Sequence, residues 1–218
     1  VLTISGTTIS VGTKKIFSGT NRVIETAVCR LTDTKAIVIY KDQSNGEKGT
    51  ACLLTVSGTT ITSGTPYVWN GAVTSNMDIG ALTSTTALVT FRDGGASHHG
   101  RALVITESSG TLGNGSEYTY ESGGYANGNN LDVLSSTKAI VTWQVNSTNY
   151  PRACVLTVSG TTVTPGTAVN IQSSLCYAGQ RVRAAWVSST KAVVIYADDP
   201  NDAAGTRDGV ARVLNISG

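Results

Sequence analysis

Charge is the first thing this chain lacks. Only 14% of its 218 residues are charged, against roughly 25% in ordinary soluble domains. The formal net charge is +2 with no basic stripe, so nucleic acid is not an expected partner. No stretch approaches the roughly 20 apolar residues of a membrane-spanning helix, so membrane insertion is not expected. Leu, Glu, Lys and Gln are too sparse for a coiled coil. A disordered chain would carry more charge and fewer β-branched residues. Four Cys make no disulfide framework for a chain of this length, and none form a Cys-x-x-Cys zinc pair. No cofactor is indicated. The chain starts at Val1 without a charged-then-apolar leader, so it is expected to be processed or cut from something longer.

What remains is rich in Thr, Ser, Val and Gly, the composition of an all-β protein. An internal repeat organises it. Val1-Leu-Thr-Ile-Ser-Gly6-Thr-Thr-Ile returns as Leu53-Leu-Thr-Val-Ser-Gly58-Thr-Thr-Ile. It returns in degraded form at Val104, cleanly at Val155, and as a partial copy at Val213. A second marker runs in phase. Leu31-Thr-Asp-Thr-Lys-Ala36-Ile-Val-Ile-Tyr40 has copies around Ala87, Ala139 and Ala192. Residues 1–218 therefore read as one repeat domain.

Each unit reads as four short strands. Strand a precedes the Leu-Thr/Ser turn, as in residues 26–31. Strand b is the Ala-Ile-Val-Ile-Tyr run, apolar on both faces and therefore expected to be buried on both. Strand c covers residues 50–56. Strand d follows the Ser-Gly-Thr-Thr turn, whose Gly tolerates positive φ. Four-stranded units of this period predict a β-propeller, most simply four blades of four antiparallel strands. The chain starts and ends inside strand c. The expectation is therefore terminal strand closure, one terminus completing a blade that the other begins, which leaves no open edge. The alternative is a piece of a longer tandem array. The last b–c turn, beginning at Asp198, holds an insertion.

Cys52 and Cys154 occupy one position in alternate repeats and cannot pair across a ring. Cys29 and Cys52 are separated by strand b, too far apart for a bond. Cys29 with Cys176 is the pair left open, and four buried thiols acting as small apolar residues is the alternative. His98 and His99 share a b–c turn, with no nucleophile and orienting acid in pattern around them. They read as a solvated turn.

The b–c turns are rich in Asp and Asn: Asp42 and Asn45, Arg92 and Asp93, Asn146 and Asn149, then Asp198, Asp199 and Asn201. Repetition once per blade suits repeated binding sites better than one active centre, although turns favour Asp, Asn and Gly in any case. Exposed aromatic rings beside such groups are what sugar binding needs: the ring stacks on the apolar sugar face and polar groups take the hydroxyls. Trp69 and Tyr120 are the expected stacking platforms. Tyr118, Tyr125, Tyr150 and Tyr177 also fall in connections. The stretch 117–130, with three Tyr and three Asn, is the best single candidate. Tyr40, Phe91, Trp143 and Tyr196 end strand b and are expected in the core.

The unit Thr-Lys-Ala-Ile-Val-Ile-Tyr-Lys-Asp-Gln-Ser-Asn-Gly-Glu-Lys-Gly-Thr-Ala, continuing into Leu-Thr-Val-Ser-Gly-Thr-Thr-Ile, resembles a tandem repeat of marine phage tail-fibre and related secreted surface proteins. The likeness spans nearly the whole chain and is weakest over residues 103–130. It implies an extracellular or virion-surface propeller that binds host-surface glycans, and it brings no catalytic residues. The expected function is non-enzymatic, lectin-like recognition by repeated weak sites. The candidate residues are Asp42, Asn45, Trp69, Arg92, Asp93, Tyr120, Asn146 and Asp198. The alternatives are a structural or assembly module making protein contacts and, third, a glycosidase.

Overall fold

The computed structural model describes residues 1–173, 176, 181–198 and 208–216. It is all-β, built of antiparallel sheets. A hairpin, β1 (Leu2–Ser5) and β2 (Thr8–Val11), comes first. Sheet I holds β3 (Val23–Arg30), β4 (Lys35–Asp42), β5 (Lys48–Ser57) and β6 (Thr60–Ser63). The long β7 (Tyr67–Ala81) leaves sheet I and opens sheet II, followed by β8 (Thr86–Asp93), β9 (His99–Ser108), β10 (Thr111–Asn114) and β11 (Tyr118–Glu121). Because β7 pairs with both β5 and β8, these two units share one hydrogen-bonded sheet of nine strands. Sheet III holds β12 (Ala126–Ser135), β13 (Lys138–Val145), β14 (Tyr150–Ser159), β15 (Thr162–Pro165) and β16 (Val169–Asn170). Sheet IV holds β17 (Arg183–Ser188), β18 (Lys191–Ala197) and β19 (Gly209–Asn215).

The sequence markers account for the turns. In the a–b turns a hydroxyl accepts the backbone N–H two residues on, as Thr32 does from Thr34 and Thr83 from Thr85. A strand-c N–H then seals each turn: Val56 onto Thr34, Glu107 onto Thr85, Val158 onto Thr137 and Ile216 onto Thr190. The c–d turns place Gly6, Gly58, Gly110 and Gly160 at positive φ, where a Cβ would be strained.

In sheets I to III strand b is buried on both faces. Ile37 and Ile39 face sheet II, in one core with Met77, Val89, Phe91 and Leu103. Leu88 faces sheet III, in a second core with Val141, Trp143 and Leu156. Ile140 of sheet III joins Ala192, Val194 and Tyr196 of sheet IV in a third. The sheets are therefore stacked face to face in chain order. Each d–a linker drives an apolar wedge against the residue that ends strand b of the following sheet. Phe17 meets Tyr40 at 5.4 Å between ring centroids, Trp69 meets Phe91 at 4.9 Å, and Tyr120 meets Trp143 at 5.0 Å. Ile171 and Tyr196 share the third core. An edge-on aromatic pair adds about 0.5–1.5 kcal/mol beyond area burial.

The outer edge of strand a has no strand partner, and side chains of the preceding strand a fill it. Glu25 Oε2 accepts from Asn76 N (2.5 Å), and Asn76 Oδ1 from Gly128 N (3.0 Å). Asp78 Oδ2 accepts from Leu131 N (3.0 Å) and Asn130 Nδ2 (3.1 Å). Asn130 Oδ1 takes Ala184 N, and Asp132 Oδ2 takes Trp186 N. The lower rungs start from a bulge common to three strands, with Glu25, Asn76 and Gly128 all at positive φ.

The expected terminal closure is corrected. β1 pairs with β2, sheet IV is β17–β18–β19, and among the described residues no strand of sheet IV pairs with the first hairpin or sheet I. The sheets are not closed into a ring. Nothing in local pairing preference bends the last sheet back to the first. The insertion after Asp198 lies largely outside the described residues, as do Tyr177 and the end of the last repeat copy.

Two outcomes follow from these contacts. Asp78 Oδ1 also accepts from Ile79 N (2.9 Å), so Asp78→Ala strands three donors and is expected to cost about 1–3 kcal/mol in urea unfolding, with Asp78→Asn costing less because it keeps an acceptor. Between sheets I and II, Glu107 accepts from Gly110 N (2.7 Å) and from Lys35 Nζ (3.0 Å), and these hydrogen bonds hold its carboxyl below the usual range. Its contribution is therefore full above the ordinary glutamate pKa and lost as pH falls through the lowered value. Acid unfolding curves should show this component in the wild type and lack it in Glu107→Gln.

Candidate functional site

Strand a begins opposite the end of strand b, as Val23 pairs with Asp42, Thr74 with Asp93, and Ala126 with Val145. The b–c turns and the d–a linkers therefore gather at one end of the stack. The other end carries the a–b turns and the near-identical Ser-Gly-Thr-Thr hairpins. Sequence variety is concentrated at the first end.

Asp42, Asn45, Arg92, Asp93, Asn146 and Asp198 all lie at this end, in different states. Asp42 is buried and builds its turn: Oδ1 accepts from Ser44 N (3.1 Å) and Oδ2 from Asn21 Nδ2 (2.7 Å). Asp93 does the same, accepting from Gly95 N (2.9 Å) and pairing with Arg101 Nε (3.2 Å). Asn45 is half-buried and accepts from Lys48 Nζ at 3.4 Å. Asp198 is half-buried and accepts from Gln172 Nε2 at 2.7 Å. Arg101 also reaches Glu117 Oε2 at 3.0 Å. Burial pushes the Glu117 carboxyl up and the charge on Asp93 adds to this, while Arg101 opposes both.

The expected stacking platforms are corrected. Trp69 and Tyr120 are only 3% and 7% exposed, because they are two of the core wedges. Their rings sit over Gly49 and Gly100 of strand c. A Cβ on Gly49 would lie 2.6 Å from the Trp69 ring, so only glycine admits the wedge there.

Arg92 and Asn146 are brought together across sheets II and III. Arg92 donates to Ser75 Oγ (2.9 Å) and to Asn127 Oδ1, and Asn127 Nδ2 donates to the exposed Asn146 Oδ1 at 2.9 Å. Beside this relay Gly124, Tyr125, Asn146 and Ser147 border a hollow of about 250 Å³. Through Ser147 it adjoins a second of about 290 Å³, whose lining includes Thr148, Tyr150, Arg152 and Asn170. Tyr125 is 43% exposed, and the His98 ring lies against it at 4.3 Å between centroids. The backbone locks them in place: Asn146 N donates to Tyr125 O (3.0 Å), and Ala126 N to His98 O (3.4 Å). Ser97 and His98 both adopt left-handed backbone, which costs roughly 1–2 kcal/mol per residue and turns this b–c loop towards Tyr125.

The floor is rigid. Glu121 is buried and accepts from Trp143 Nε1 (3.0 Å), Gly123 N (2.7 Å) and Arg152 Nη1. The Arg152 guanidinium lies over the Trp143 ring at 5.7 Å. The arrangement offers an aromatic ring beside amide and hydroxyl groups on a fixed base. Sequence reasoning named the stretch 117–130 and Asn146 but set His98 aside, since its contact with Tyr125 joins two sheets. Among the described residues no three His, Cys, Asp or Glu side chains gather as a metal site, and no helix is long and apolar enough to cross a membrane.

No family model and no curated protein matches the chain. A solved structure does. The chain is similar to a protein of unknown function from Dyadobacter fermentans DSM 18053, with a TM-score of 0.53 and 13% identity. The match covers 84% of this chain and 50% of that one, so this chain corresponds to about half of that protein's length. At this identity the likeness is one of fold alone.

All four cysteines are free thiols; three are buried and Cys29 is half-buried. Burial pushes Cys154 up to about 12 and Cys29 up to about 11. At pH 8 all four are therefore expected to react slowly with a disulfide reagent in the folded protein, and promptly once urea exposes them. Prompt release of two or more equivalents from the folded chain would contradict this arrangement.

Proposed function

We propose that the chain is an arc of β-propeller blades acting as a non-enzymatic, carbohydrate-binding recognition module, outside the cell or on a virion surface. Two features support the propeller reading. The repeat units stack in chain order, with four strands or more in sheets I to III. Their first strands are tied side by side through the side-chain ladder.

The observation that carries the binding reading is Tyr125, an exposed ring braced by His98 and flanked by Asn146 and Ser147 in an open hollow. Such a ring can stack on a sugar's apolar face while the amide and hydroxyls take its hydroxyl groups. The carboxylates nearby are already committed: Asp93 to its turn and Arg101, Glu121 to three donors. That favours binding over acid–base chemistry, which would need two available carboxyls facing one cleft. A single shallow site is weak, and avidity would come from several presented together.

An assembly module is the second reading. It is favoured by apolar side chains exposed at both ends of the stack, including Leu2, Ile4 and Ile9 at the first and Val187, Ile195 and Val213 at the last.

A glycan array with the purified chain tests the first reading. Selective binding to one sugar class is expected, with Tyr125→Ala and Asn146→Ala each weakening it about tenfold or more, a loss of about 1.4 kcal/mol. A blank array from folded, monodisperse protein would move the weight to assembly.

A further inference from the structure

We propose that the outer face of sheet IV docks the front end of a second copy of this chain, so that copies stack head to tail. The inference rests on the stacked-sheet architecture and is independent of carbohydrate binding.

The outer face of sheet IV is a face that earlier sheets bury. Val187, Ile195 and Val213 are the repeat counterparts of Leu31, Ile39 and Leu53, which are packed against sheet II. In sheet IV each is more than half exposed. The front end shows the complementary case. Leu2, Ile4 and Ile9 are the counterparts of Leu156, Val158 and Val163, which sheet III packs against sheet II, and they too are more than half exposed. These two kinds of face meet in each of the three large cores inside the molecule. A surface that pairs with its repeat counterpart within the chain is suited to the same counterpart on another copy.

One feature sets the contact apart from the internal ones. Arg181 and Arg183 stand where the ladder of earlier strands has Glu25 and Asn76, or Asp78 and Asn130. Arginine cannot accept from a backbone N–H, so apolar burial carries the contact between copies. A head-to-tail contact of this kind is heterologous, and it closes into a ring or extends as a filament.

Sedimentation velocity on residues 1–218, up to about 200 µM, is the test. The expected result is a mass of two or more chains. Ile195→Lys with Val213→Lys blocks the tail, and Ile4→Lys with Ile9→Lys blocks the head. Each double variant should be monomeric with an unchanged far-UV spectrum, and an equimolar mixture should form a one-to-one dimer through the single intact contact. Val187→Lys and Leu2→Lys replace either double variant that loses its fold. A monomeric wild type at every concentration overturns the proposal and makes Arg181 and Arg183 a cap. Assembly that survives either block overturns it too, as does a mixture that stays monomeric. Glycan binding is read separately on the array, so loss of one result leaves the other standing.

Discussion

Strand b is apolar on both faces, and no single sheet can bury it. Ile37 and Ile39 point one way and Val38 and Tyr40 the other, and all four are buried. Two covering layers are needed for each such strand, so a sheet of this sequence buries both of its faces only between neighbours. The stack is the direct answer to that requirement. The aromatic wedges follow from it. A four-residue strand d is too short to cover the end of the next strand b, and the linker ring fills the gap over a strand-c glycine. The side-chain ladder also follows: stacking brings successive strands a side by side, and their open N–H groups need acceptors once water is excluded.

The same constraint decides where chemistry can reside. Faces are consumed by packing, and the hairpin end is held to one sequence by its glycine turns and hydroxyl caps. Only the b–c turns and the linkers are free to differ, and they lie at one end because strand a starts beside the end of strand b. Even there much of the polar inventory is structural. Asp42 and Asp93 accept their own turn N–H groups, and an aspartate placed to do this would be chosen with or without a ligand. Asn146 and Tyr125 are different, since their side chains stand at the surface of a hollow and little of the turn depends on them.

The repeat was legible because two independent markers kept one period, and strands b and c appear close to where the pattern puts them. β4 spans Lys35–Asp42 around the Ala36–Tyr40 run, and β5 spans Lys48–Ser57 around residues 50–56. The strand-b aromatics were legible as core for the same reason. Trp69 and Tyr120 were not. A ring in a connection looks the same in sequence whether it faces solvent or plugs the next sheet, and the deciding contacts, with Phe91 and Trp143, lie more than twenty residues away. The pairing of His98 with Tyr125 was hidden for a related reason, since it joins loops of two different sheets. Ring closure was hidden more deeply. It depends on the angle between successive sheets, a sum of small packing differences that no local pattern encodes.

A stack built by repeating one interface has no internal reason to stop. Each added sheet buries the last exposed face and presents a new one. Sheet IV carries two opposed features. Its apolar residues 187, 195 and 213 keep the character of a face that expects a neighbour, while Arg181 and Arg183 withdraw the acceptors that a further strand a would use. Apolar area is undirected, whereas the ladder sets the spacing and tilt of one strand a against the next. Losing the ladder while keeping the apolar face relaxes the geometry of the last contact without removing its driving force. A contact on that face would rest on apolar burial alone, so its angle would be less tightly fixed than the angles between the internal sheets.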